Sequence, residues 1–134
     1  MDPVEVRTRF TAERVARLAT VRPDGAPHVV PVVFVVEGDR IWLVVDQKPK
    51  RSRDLQRLAN IASQPRVSIL VDRYDDDWST LWWVRADGVA RIDVDAARWA
   101  ARFAAKYPPH AQDPPEGPGI AVDVTRWTGW SAAG

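Results

Sequence analysis

The chain has 134 residues, a formal net charge of +1 and 46% apolar residues. That composition fits one globular domain over residues 1–134, and it excludes a disordered chain and a globally basic nucleic-acid binder. The absence of cysteine excludes disulfides, thiolate nucleophiles and cysteine-ligated metals.

Asp2-Pro3-Val4-Glu5 reads as a helix start, with Asp as the cap, Pro at the first helical position and Glu three residues after the cap. Val6 and Phe10 supply its inward face, and Thr11 is expected to begin a second short turn. Val15 to Val21 is the first strand. Pro23-Asp24-Gly25 is a turn in which Pro presets φ and Gly takes the positive-φ position. Val29 to Val36 is almost wholly apolar and reads as one strand covered on both faces. Glu37-Gly38-Asp39 turns it into Arg40 to Val45, completing a three-stranded meander.

A helix is expected from about Lys50 to Ile61, with Leu55, Leu58 and Ile61 facing the core. Pro65 ends that region, and Val67 to Tyr74 is the fourth strand. Asp72, Asp75, Asp76 and Asp77 form an acidic turn, read as solvated because it lacks the glycine and distal Glu of a calcium loop. Leu81 to Ile92 is a long strand with a bulge or bend at Asp87-Gly88. Asp93 or Asp95 caps a helix from about Ala96 to Lys106, with Trp99 and Phe103 as its stripe. Five prolines between Pro108 and Pro118 mark a loop. Ile120 to Val124 is the last strand, followed by a tail, Arg126-Trp127-Thr128-Gly129-Trp130. The pattern predicts a mainly β (α+β) fold: a six-stranded antiparallel barrel with two to three flanking helices.

Familiar catalytic signatures are missing. The sequence contains no G-x-G-x-x-G, P-loop or G-x-S-x-G, and His28 and His110 are its only histidines. Met1 to Glu5 lacks the basic and apolar regions of a signal peptide, and the longest apolar run is strand-sized. A cytoplasmic protein with no membrane or nucleic-acid partner is expected. The seven tryptophans call for an account. Trp82 and Trp83 are adjacent, so in a strand one faces the core while the other meets solvent, a partner subunit or a planar ligand.

The densest chemistry lies at Asp46-Gln47-Lys48-Pro49-Lys50-Arg51-Ser52-Arg53-Asp54-Leu55. From Gln47 to Arg66 there are six bases (Lys48, Lys50, Arg51, Arg53, Arg57, Arg66) and one acid, Asp54. Four of these cations gather where a strand gives way to a helix start, which already offers free N–H groups and a positive dipole end to an anion. A phosphate cradle and a solvated basic face both fit the segment.

The ordered set Arg14 to Val21, Asp24 to Phe34, the basic loop and Asn60 to Val71 resembles the pyridoxamine 5′-phosphate oxidase-like split-barrel flavoproteins. Within them it is similar to the actinobacterial branch that uses the deazaflavin coenzyme F420. The resemblance spans roughly Val4 to Trp130. It implies an FMN-binding split barrel and a homodimer with two cofactor sites at the subunit interface. The family's phosphate motif maps onto Arg51, Ser52, Arg53, Asp54 and Leu55, with Lys48 and Lys50 as extra cations; Pro49 departs from the pattern. The family's small-Thr pair matches Ala19-Thr20, and its second-strand segment matches Pro31, Val32, Val33 and Phe34, which would line the ring largely through backbone groups. Trp78, Trp82, Trp83 and Trp130 are candidates to wall the substrate side, and Arg85 or Arg126 to orient an anionic substrate. The implied activity is hydride transfer between F420 and a small conjugated molecule, with no catalytic side chain needed because the cofactor carries the chemistry. The alternatives are an FMN-binding oxidase or flavin reductase of the same fold, and a non-catalytic F420-binding carrier.

Overall fold

The computed structural model describes residues 1–44, 51–95, 98–115 and 118–133, with backbone alone for 51–55. Among the described residues seven strands form one antiparallel sheet in the order β2-β1-β5-β6-β7-β4-β3. They are β1 (Ala16–Val21), β2 (Pro27–Val32), β3 (Phe34–Glu37), β4 (Arg40–Val44), β5 (Arg66–Arg73), β6 (Trp82–Asp93) and β7 (Gly119–Ser131). The helices are α1 (Pro3–Ala12), α2 (Arg51–Ser63), α3 (Ala100–Lys106) and α4 (Pro108–Gln112). A single 3-10 turn, Trp78–Thr80, precedes β6.

The strand order dictates the curl. β2 and β3 lie at opposite edges of the sheet, yet only Val33 separates them. A flat sheet of seven strands is about 29 Å wide, whereas two Cα steps reach about 7 Å. The sheet must therefore roll until its edges meet at Val33, which makes a split barrel. The expected six strands become seven because Val29 to Val36 breaks at Val33. That segment is also not covered on both faces, since Val29 is 62% exposed on the edge strand β2.

The inner face carries Leu18, Ile41, Leu43, Ile69, Val84, Ile120 and Val122, closed by Val6 and Phe10 of α1. The start of α1 is as expected, with Glu5 N–H donating to the Asp2 carboxylate at 2.8 Å. The helix then runs through Thr11 to Ala12, so no separate turn forms there. Both turns predicted from glycine are present, with φ of 91° at Gly25 and 60° at Gly38.

A second cluster covers part of the outer face. Trp99, Phe103 and Tyr107 pack on Val35, Trp42, Val44 and Ala121 of β3, β4 and β7. Helix α3 is shorter than expected, because Trp99 is its cap residue and neither Asp93 nor Asp95 fills that place. The proline segment is not all loop, since Pro108 and Pro109 open α4, where missing N–H groups cost nothing. The tail after Val124 is not a tail either. β7 continues to Ser131 alongside β6.

Candidate functional site

β6 and β7 slip by one residue where Asp87 pairs with Arg126 and Gly88 with Val124. Thr125 is the extra residue, and its hydroxyl donates to the Asp87 carbonyl at 3.1 Å. The slip reverses the inside–outside alternation of β7, so Trp127 points inward and Trp130 outward. Trp127 packs edge-on against Phe10 and donates its indole N–H to Asp39. Trp130 is 47% exposed and lies directly opposite Trp83.

Trp83, Arg85 and Trp130 thus share the outer face, where Leu70 pairs with Arg85 and Asp72 with Trp83. Leu70, Asp72, Tyr74, Trp83 and Arg85 line a shallow cavity of about 290 Å³. Arg85 stacks on the Trp83 ring at 5.5 Å and pairs with Asp87, which also accepts from Ser68 at 2.6 Å. Leu70 and Tyr74 were not legible as site residues; only the β5–β6 register brings them to Trp83 and Arg85. Trp82 stands apart, packed into the inner core beneath Arg9. Trp78 stands apart too, 74% exposed on the 3-10 turn.

Ala19 and Thr20 lie on opposite faces of β1, as consecutive strand residues must. Ala19 faces outward beside Val29, while the Thr20 hydroxyl is buried and accepts from Asn60 Nδ2 at 3.0 Å. Pro31 is exposed on the outer face and Val32 is buried inside. Val33 is the half-buried crossover residue. Phe34 is a core residue whose backbone is already engaged. Its N–H donates to the Tyr107 hydroxyl at 3.1 Å, and its carbonyl accepts from Tyr107 and from Lys106.

Lys48 and Lys50 lie outside the described residues. Arg51 opens α2 and Arg53 sits in its first turn; their side chains also lie outside the described residues. Farther along α2, Arg57 acts on His28 of β2, whose pKa is lowered by burial and by Arg22 and Arg57. The acidic turn is occupied by its own chain: Asp75 accepts from Asp77 N–H and from Thr80, and Asp77 accepts from Ser79. The Ser79 bonds hold the Asp77 carboxyl below its ordinary pKa. Among the described residues no helix is long and apolar enough to cross a membrane.

No curated protein matches the sequence. Among solved structures, a conserved hypothetical protein from Mycobacterium tuberculosis is similar, with 25% identity and a TM-score of 0.78 over 99% of this chain and 86% of that one. A FAD-binding protein from Mesorhizobium loti is 21% identical, with a TM-score of 0.70 over 96% of this chain and 92% of that one. A FAD-binding protein from Mycobacterium smegmatis is also 21% identical, with a TM-score of 0.67 over 97% and 94% of the two chains. The model of the pyridoxamine 5′-phosphate oxidase family matches residues 3–131, nearly the whole chain. With the curled sheet and the basic start of α2, that match makes this chain a member of the pyridoxamine 5′-phosphate oxidase family.

Proposed function

We propose that this protein is an F420-dependent oxidoreductase, a homodimer that transfers a hydride between the deazaflavin and a small conjugated molecule. The observation that carries the reading is the start of α2 at Arg51, inside a run that gathers Lys48, Lys50, Arg51 and Arg53 directly after β4. The donor set suits a phosphate: Arg51 and Arg53 offer bidentate forks, Lys48 and Lys50 add point charges, and the helix end adds free N–H groups. The additional lysines favour F420, which extends its phosphate with an anionic oligoglutamate tail.

When bound, the deazaflavin supplies two-electron hydride chemistry. The chain's own residues bind, orient and exclude water. Ala19 and Pro31 offer a small, flat stretch of the outer face, and Trp83 and Trp130 offer aromatic walls. Arg85 offers a cation to an anionic substrate, already held in place by Asp87. A second copy would cover the bare half of the outer face and complete each site.

A flavin reading rests on a different observation, the FAD-binding names of two structural neighbours. In that case the same cradle holds the phosphate of FMN and the protein is an oxidase or flavin reductase. Tryptophan fluorescence titrated in parallel with F420 and FMN separates the two. Micromolar or tighter F420 binding with much weaker FMN binding supports the first. The reverse preference supports the second, and binding of neither overturns both.

A further inference from the structure

Two buried polar residues, Asn60 and Thr20, stand out among the described residues, with relative exposures of 0% and 3%. They touch. Asn60 Nδ2 donates to Thr20 Oγ1 at 3.0 Å, and Asn60 Oδ1 accepts from Gln56 Nε2 at 2.6 Å. Gln56 and Asn60 are one turn apart on α2, and Thr20 lies on the inner face of β1. An amide here must give up water, and its net contribution to stability is small even when satisfied. Leu58 and Ile61 already supply apolar contact between α2 and the barrel.

What the amide adds is direction. Apolar contacts tolerate a helix that rolls or slides, whereas a hydrogen bond weakens steeply when its angle or length changes. A roll of about 20° moves a group about 6 Å from the helix axis by about 2 Å, enough to break a bond to phosphate. Asn60 is nine residues from Arg51, about 14 Å along a stiff helix. We infer that Asn60, bonded to Thr20 and Gln56, is a positioning residue that sets the roll and register of α2 and thereby aims its first turn at the cofactor phosphate. This rests on the phosphate-cradle reading above. It also gives Thr20 a side-chain role distinct from the backbone contact the family resemblance implies.

The test compares FMN with riboflavin, and F420 with its ribityl deazaflavin core, which lacks the phosphate and the tail, by fluorescence titration of full-length wild type, Asn60→Leu, Thr20→Val and Thr20→Ser. Melting curves check that each variant folds. Asn60→Leu and Thr20→Val should weaken the phosphorylated ligands about tenfold, the scale of one charge-assisted bond, and leave the phosphate-free ligands within about twofold. Thr20→Ser, which keeps the acceptor, should retain wild-type affinity. If Asn60→Leu does not fold, the isosteric Thr20→Val carries the same comparison. Equal losses for both ligand types would mark a merely structural role and overturn the inference, as would no loss at all. A wild type that does not prefer the phosphorylated forms would overturn the cradle reading and this inference together. A wild type that prefers them, with variants equally selective, would overturn this inference alone.

Discussion

Individual side chains carry more than their positions suggest, and Lys106 shows it. Its ammonium donates to the Phe34 carbonyl at 3.1 Å and lies 3.8 Å from the centre of the Phe34 ring, on the crossover that closes the barrel. Burial, with Arg14 beside it and only Glu13 opposing, lowers its pKa from 10.5 to about 8. A base whose folded pKa is lowered is a penalty below both values. Between pH 8 and 10.5 the unfolded chain holds the proton more tightly, so stability rises with pH across that window. Lys106→Met should remove this rise, so that urea midpoints of wild type gain on those of the variant between those pH values. Parallel profiles would contradict the assignment. None of this was legible in the sequence, where Lys106 was only the end of a helix. By contrast, the opposite facing of Trp82 and Trp83 followed from adjacency alone, because a strand alternates its side chains.

Among the elements, the β6–β7 pair decides the most. Alternation counted from Ile120 would bury Trp130 and expose Trp127, but the extra residue Thr125 reverses that assignment. Gly88 permits the slip. A Cβ there would lie 2.5 Å from the Asp123 carbonyl oxygen and 2.9 Å from Val122 Cγ1. Gly88→Ala should therefore destabilise the protein by about 1–3 kcal/mol, the range for forced overpacking, and a chemical denaturation curve reads it directly. An unshifted curve would mean that β7 can move away. The glycine was visible as an irregularity in the sequence; which strand holds the extra residue was not, since a bulge is a property of two paired strands. The helices show the same division. α1 could be read from its cap, whereas α4 was hidden among prolines that suggest a loop but also suit the first turn of a helix.

At the scale of the whole molecule, α3 with its flanking Trp99 and Tyr107 covers the outer face over β3, β4 and β7. The other half of that face bears Val29, Leu70, Trp83 and Trp130, with Val29 62% exposed and Trp130 47% exposed. The proposed homodimer would use this half. Val29→Glu combined with Trp130→Glu should convert a dimer to a monomer in light scattering and abolish cofactor binding, with circular dichroism unchanged. A dimer that survives would place the interface elsewhere.

The amino-acid sequence by itself determined the local pieces: the capped first helix, the two glycine turns, the strand periods and the basic run that opens α2. Each depends on neighbours a few residues away. Only the tertiary structure decided that Val29 to Val36 is two strands at opposite edges, that Trp130 faces outward with Trp83, and that Thr20 turns its hydroxyl to Asn60. Those outcomes depend on strand order, register and contacts between distant residues, which arise when the sheet closes on itself.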